Sequence, residues 1–117
     1  MLPLLLDHMN AGRLTLERLV DLTSAGAGRL FQIAGKGRLA VGYDADYTLV
    51  DLAARRVIEA DWLASRCGWS PFEGREVTGW PMMTVVRGTV VMREGELAPA
   101  AHGRPIRFQE TLEGEAG

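Results

Sequence analysis

At 117 residues, 47% apolar and 24% charged, the chain has the size and balance of one ordinary globular domain. Its formal charge of −2 removes any electrostatic case for nucleic acid or an anionic membrane surface. No apolar run reaches the length of a membrane span, and one cysteine, Cys67, excludes an internal disulfide and suits a reducing cytoplasm.

The opening MLPLLLDHMN lacks a basic flank and is interrupted by Asp7 and His8, so it does not read as a signal peptide. Leu2, Leu5, Leu6 and Met9 can share one helical face, and Pro3 is tolerated in a first turn, where its missing N–H would have no partner. Asn10-Ala11-Gly12 supplies a helix stop. Thr15 is a good N-cap for a second helix, with Leu14 and Leu19 at the spacing of a hydrophobic staple. Leu16, Leu19, Val20 and Thr23 mark its inner stripe. The small residues Ala25 to Gly28 predict a break, followed by one more helical turn over Arg29 to Ile33.

After Gly35 the period changes to two. Tyr47 to Leu52 reads as one strand and Arg56 to Ala60 as another, with a short helical turn over Ala60 to Ser65. Cys67 to Pro81 is rich in Gly, Pro and aromatic residues and predicts an ordered loop, whose Trp69, Phe72 and Trp80 form a packing plug rather than a ligand platform. Met82 to Arg87 and Thr89 to Arg93 predict a hairpin, with turn signals at Gly88 and Glu94-Gly95. Ile106 to Phe108 adds a last short strand, and the acidic tail over 109–117 is expected to be disordered.

The candidate chemical groups are few. Asp44 and Asp46 lie two residues apart, which suits a metal or acid/base pair, but Gly42-Tyr43-Asp44-Ala45-Asp46 reads better as a turn feeding a strand. His8, Cys67 and His102 could in principle hold zinc, yet nothing in their spacing matches a ligand pattern. Cys67 has no adjacent base to make it a nucleophile. Gly35, Gly37 and Gly42 lack the Lys-Ser/Thr ending and strand-loop-helix order of a phosphate cradle. Arg55-Arg56 and Arg104 to Arg107 are too sparse for a basic patch.

Two stretches carry a resemblance. Lys36-Gly37, Gly42, Asp44-Ala45-Asp46 and the apolar strand ending at Asp51 resemble the barrel-to-sandwich crossover of the amidohydrolase superfamily. Cys67-Gly68-Trp69-Ser70-Pro71-Phe72-Glu73-Gly74, Val77 to Pro81 and Thr84 to Gly88, with MLPLLL and Arg29-Leu30-Phe31, resemble bacterial dihydroorotases. Where that family often has Asn-Pro-Ala before the Arg-Leu-Phe turn, this chain has Gly26-Ala27-Gly28. The resemblance implies an α+β piece of a larger enzyme. Residues 1–34 would be the final outer helices of a (β/α)8 barrel, and 35–108 the C-terminal strands of its small composite β-sandwich.

The implied activity is zinc-dependent hydrolysis or closure of the cyclic amide of dihydroorotate, in pyrimidine biosynthesis. The family's metal ligands, reactive groups and substrate loop all precede the position matched by Met1. No catalytic, metal or substrate-binding residue is therefore carried over, and the chain alone is expected to be inactive. The implied partners are the remainder of a dihydroorotase chain or further copies of this one, with aspartate carbamoyltransferase as a third. The alternatives are a non-catalytic assembly module and the end of a hydantoinase or allantoinase.

Overall fold

The computed structural model describes residues 1–63, 67–99 and 103–109 of the chain. Helix α1 (Leu2–Asn10) is followed by a helical stretch made of α2 (Leu16–Val20), a π-helical turn (Asp21–Ala25) and α3 (Gly26–Phe31). The strands β1 (Tyr47–Val57), β2 (Glu76–Val86), β3 (Thr89–Arg93) and β4 (Glu96–Leu97) form one antiparallel sheet in the order β1-β2-β3-β4.

The helix boundaries follow from local chemistry. After α1, Gly12 takes φ +80° and its N–H reaches the Met9 carbonyl, while the Arg13 N–H reaches that of His8. That pattern is a Schellman stop, as Asn10-Ala11-Gly12 predicts. Thr15 caps α2 through its side chain, which accepts the Arg18 N–H at 3.1 Å. The predicted break at Ala25 to Gly28 is absent. The backbone widens into the π turn instead and continues to Phe31, where Gln32 ends it in the left-handed conformation at φ 52°. The widened turn leaves the Asp21 carboxylate between Arg18 and Arg29 at 3.4 and 2.7 Å.

The strand assignments change as well. The segments read as separate strands over Tyr47 to Leu52 and Arg56 to Ala60 are one strand, β1, carried across an irregularity between Asp51 and Arg55. Strand β2 starts at Glu76, inside the stretch read as loop. Its Pro81 is tolerated because the register with β1 shifts there, Leu49 pairing with Met83 and Val50 with Pro81. The β2–β3 hairpin forms as expected. Its two turn residues, Arg87 and Gly88, both have positive φ, and so do Glu94 and Gly95 between β3 and β4. The turn after β1 is a 3-10 helix over Ala60–Trp62, and Ser65 falls outside the described residues. Phe108 makes an isolated bridge to Ile33 rather than a strand with its neighbours.

The core is small. Ile58, Val77 and Trp80 form its centre, Leu4, Ala54 and Met82 pack against it, and Trp80 meets Trp62 at a ring-centroid distance of 4.7 Å. Leu6 seats α1 on β2 at 1% exposure. The buried residues of α1 are Pro3 and Leu6, so of the predicted Leu2/Leu5/Leu6/Met9 face Leu6 alone is fully buried and the helix is rotated toward Pro3. The chain exposes 8423 Å², against about 6,300 Å² for a compact monomer of this mass. Leu16, Val20, Leu22, Leu30 and Phe31 on the helices, and Tyr47, Leu49, Val50, Leu52 and Val57 on β1, carry part of that excess.

Candidate functional site

The crossover between helices and sheet gathers one lysine and two carboxylates. Lys36 leaves the end of the helical stretch and reaches Asp44 at 2.9 Å and Asp46 at 2.5 Å. Asp46 also accepts the backbone N–H of Arg87 at 2.8 Å, so one carboxylate ties the crossover to the β2–β3 turn. The Asp44 N–H is held by the Gly35 carbonyl at 2.8 Å, which closes the loop. Gly37 lies against the helix: an added Cβ would be 3.0 Å from the Ser24 carbonyl oxygen, at a φ of +89°.

The electrostatics match a structural staple. The hydrogen bond to Asp46, then that to Asp44, raises the Lys36 ammonium above the ordinary lysine range against an opposing effect of burial. For Asp46, burial is the largest single influence and pushes its pKa up. The Lys36 hydrogen bond and the Arg87 N–H together outweigh it, and the carboxyl lies below the usual range. A lysine held charged between two carboxylates supplies the positive charge that a cation would otherwise bring.

The other candidates do not converge. Arg13 donates to Nδ1 of His8 at 2.9 Å, which occupies a lone pair a metal would need. Cys67 is exposed, with its Sγ 3.7 Å from the Trp69 carbonyl oxygen. His102 lies outside the described residues. Among the described residues no three His, Cys, Asp or Glu side chains gather as metal ligands. The zinc that the resemblance implies for a full-length enzyme therefore does not fit the donor groups described here. The aromatic stretch divides: Trp80 is buried in β2, while Trp69 is 62% and Phe72 41% exposed, so the plug is only partly seated. A shallow groove on the helical arm, lined by Leu22, Ala27, Arg29, Leu30 and Phe31 among others, is open to solvent.

One cluster escaped the sequence reading altogether. Asp7 and Asn10, on the sheet-facing side of α1, bind backbone groups of β1 and β2. Nothing near either residue in sequence signals that role.

Comparison with known proteins decides the family. Residues 2–91 match the Amidohydrolase family. This chain belongs to the amidohydrolase family. Within it, the chain is 45% identical over 106 residues to a dihydroorotase of Halobacterium salinarum, covering 91% of this chain and 25% of that protein. It is also 45% identical over 98 residues to an L-hydantoinase of Paenarthrobacter aurescens, covering 82% of this chain and 21% of that one. Among solved structures, an L-hydantoinase (dihydropyrimidinase) from Arthrobacter aurescens superposes with a TM-score of 0.78 at 43% identity, over 83% of this chain and 22% of that structure. The chain thus spans about a quarter of the length of these amidohydrolase relatives. No helix among the described residues is long and apolar enough to cross a membrane.

Proposed function

We propose that this chain is the C-terminal part of a dihydroorotase-type cyclic amidohydrolase and supplies scaffold rather than reacting groups. Residues 1–34 are the last outer helices of the barrel and 35–108 the C-terminal strands of the sandwich; of the stretch 109–117 expected to be a disordered tail, only Gln109 is among the described residues, its N–H held by the Gln32 carbonyl. The metal and the reaction centre lie in the rest of the enzyme. In barrel enzymes the reactive groups sit at strand ends, while the outer helices supply packing. Zinc in the full-length enzyme would activate water for attack on a cyclic amide. The single cysteine favours a cytoplasmic setting. Partners are the remainder of the enzyme chain, with aspartate carbamoyltransferase as a second candidate.

The observation that carries this reading is a mismatch of surface. Among the described residues of a chain spanning a quarter of its relatives, no strand pairs with the outer side of the 11-residue β1, and the helical residues Leu30 and Phe31 are largely exposed. Burying Leu30 and Phe31 would contribute about 1.5–3 kcal/mol each, which is a reason for those surfaces to have partners. A hydantoinase-type substrate is the second reading, favoured by the 0.78 superposition on an L-hydantoinase.

The test is complementation. The Pyrococcus furiosus dihydroorotase, 41% identical over 104 residues, is truncated to remove the matching region and mixed with this chain. Dihydroorotate and hydantoin hydrolysis are then measured. Neither piece alone should turn over substrate, and the mixture should regain dihydroorotate hydrolysis. Rescue of a likewise truncated Paenarthrobacter aurescens L-hydantoinase, but not of the dihydroorotase, would move the assignment to the second reading, and inactive mixtures that nevertheless form complexes would contradict both.

A further inference from the structure

Helix α1 meets the sheet where both strands leave regular geometry. Between the pairs Asp51–Trp80 and Arg55–Thr78, β1 has Leu52, Ala53 and Ala54, whereas β2 has only Gly79. Asp51 closes this bulge from within, its Oδ1 accepting the N–H groups of Ala53 and Ala54 at 2.9 and 3.2 Å. Three more backbone groups at this point of the sheet are met by α1. Asn10 Nδ2 donates to the carbonyls of Leu52 at 3.0 Å, Thr78 at 2.8 Å and Leu6 at 3.1 Å. Two N–H hydrogens serving three carbonyls means that one is shared. Asp7 Oδ1 accepts the Thr78 N–H at 3.0 Å, and its Oδ2 lies 3.6 Å from Arg75. Asp7 and Asn10 are three residues apart and so share a helix face. Gly79 has no side chain to hold Leu6 away from the strand.

We infer that Asp7 and Asn10 form a latch across the boundary at residue 34, locking α1 to the bulged centre of the sheet so that the two move as one body, while the arm Leu16–Phe31 moves separately. Helix α1, not α2 or α3, carries the packing of helix on sheet. The arm is joined to the sheet through the turn after α1 and the Lys36 crossover. The latch also sets the shape of the free edge. By holding the bulge it divides the edge into Tyr47–Asp51 on one side and Arg55–Val57 on the other. A bulge of this kind bends a strand and blocks continuous pairing along its edge. The inference goes beyond the proposed function and needs no activity readout, so failed complementation would leave it standing.

Amide hydrogen exchange on the full chain tests it. In the unaltered protein, the α1 amides should open together with those of Val77–Gly79, and more slowly than those of α2 and α3. Asn10→Ala should speed exchange at Leu6–Asn10 and Leu52–Ala54 by about tenfold, since three backbone carbonyls lose their shared donor. The β2–β3 hairpin should be spared. Asp7→Asn keeps an acceptor for Thr78 and should retain the wild-type pattern. Exchange of α1 in step with α2 and α3 in the unaltered chain would overturn the latch. So would equal acceleration everywhere in Asn10→Ala, or loosening of α1 by Asp7→Asn.

Discussion

Replacing Gly79 by alanine probes the join between helix and sheet at its tightest point. An added Cβ would sit 2.6 Å from the Leu6 Cβ and 3.3 Å from Asn10 Nδ2, at a backbone φ of +105°. Two costs combine. The left-handed conformation costs an L-residue about 1–2 kcal/mol, and overpacking adds about 1–3 kcal/mol because the helix must back away. The expected loss is therefore about 2–5 kcal/mol, a large share of the about 5–15 kcal/mol that stabilises a typical domain. Gly88→Ala separates the two, since Gly88 has φ +78° and nothing within 4 Å of a new Cβ. Urea unfolding followed by tryptophan fluorescence reports on Trp80, which lies in the core. Gly79→Ala should lose at least 1 kcal/mol more than Gly88→Ala, by the overpacking alone. Equal losses would refute the close seating of Leu6 on the strand.

Three further outcomes follow from the same geometry. Lys36→Met should destabilise by about 1.5–3 kcal/mol, the range for a hydrogen bond to a charged group, read by urea unfolding near neutral pH. The pH profile has two limbs. Asp46 titrates lower when folded, so its contribution is present above the unfolded value of about 3.9 and is lost as pH falls through the depressed one. Lys36 titrates higher when folded, so its contribution is full below about 10.4 and is lost as pH rises through the raised value. In Lys36→Met, burial acts on Asp46 without its counter-charge, and the acid limb should shift to higher pH. Thr15→Ala removes the acceptor for the Arg18 N–H and should cost about 1 kcal/mol in thermal unfolding. The double change Leu30→Ser, Phe31→Ser should reduce self-association in light scattering while changing stability by no more than about 0.5 kcal/mol, because both side chains are exposed at 76% and 60%.

Much of the architecture was legible because it is written locally. Gly12, Thr15, Gly88 and Gly95 occupy turns and caps whose chemistry is set within a few residues, and each falls where expected. The misplaced boundaries have a common cause. Pro81 and Gly79 look like loop residues, but a register shift accommodates the first and the approach of Leu6 accounts for the second. Likewise the small residues at Ala25 to Gly28 look like a break, but they give the crossover a seat, with Gly37 close against Ser24 and Ala25. The pairing of Lys36 with Asp44 and Asp46 was half legible, since the two aspartates read as turn residues while their shared lysine, ten residues before Asp46, did not. Asp7 and Asn10 were illegible because their partners, Leu52 and Thr78, lie 42 to 71 residues away and owe their availability to a bulge. Long-range demands of this kind leave no periodicity to read.

The most direct test of the account is sedimentation velocity of this chain with and without the truncated Pyrococcus furiosus dihydroorotase. Alone, the chain should show concentration-dependent association through its uncovered edge and helical face. With the complementary piece it should move into a one-to-one complex, and its self-association should disappear. A compact monomer at every concentration, indifferent to the added piece, would mean that these surfaces need no partner and that the chain is not the end of such an enzyme.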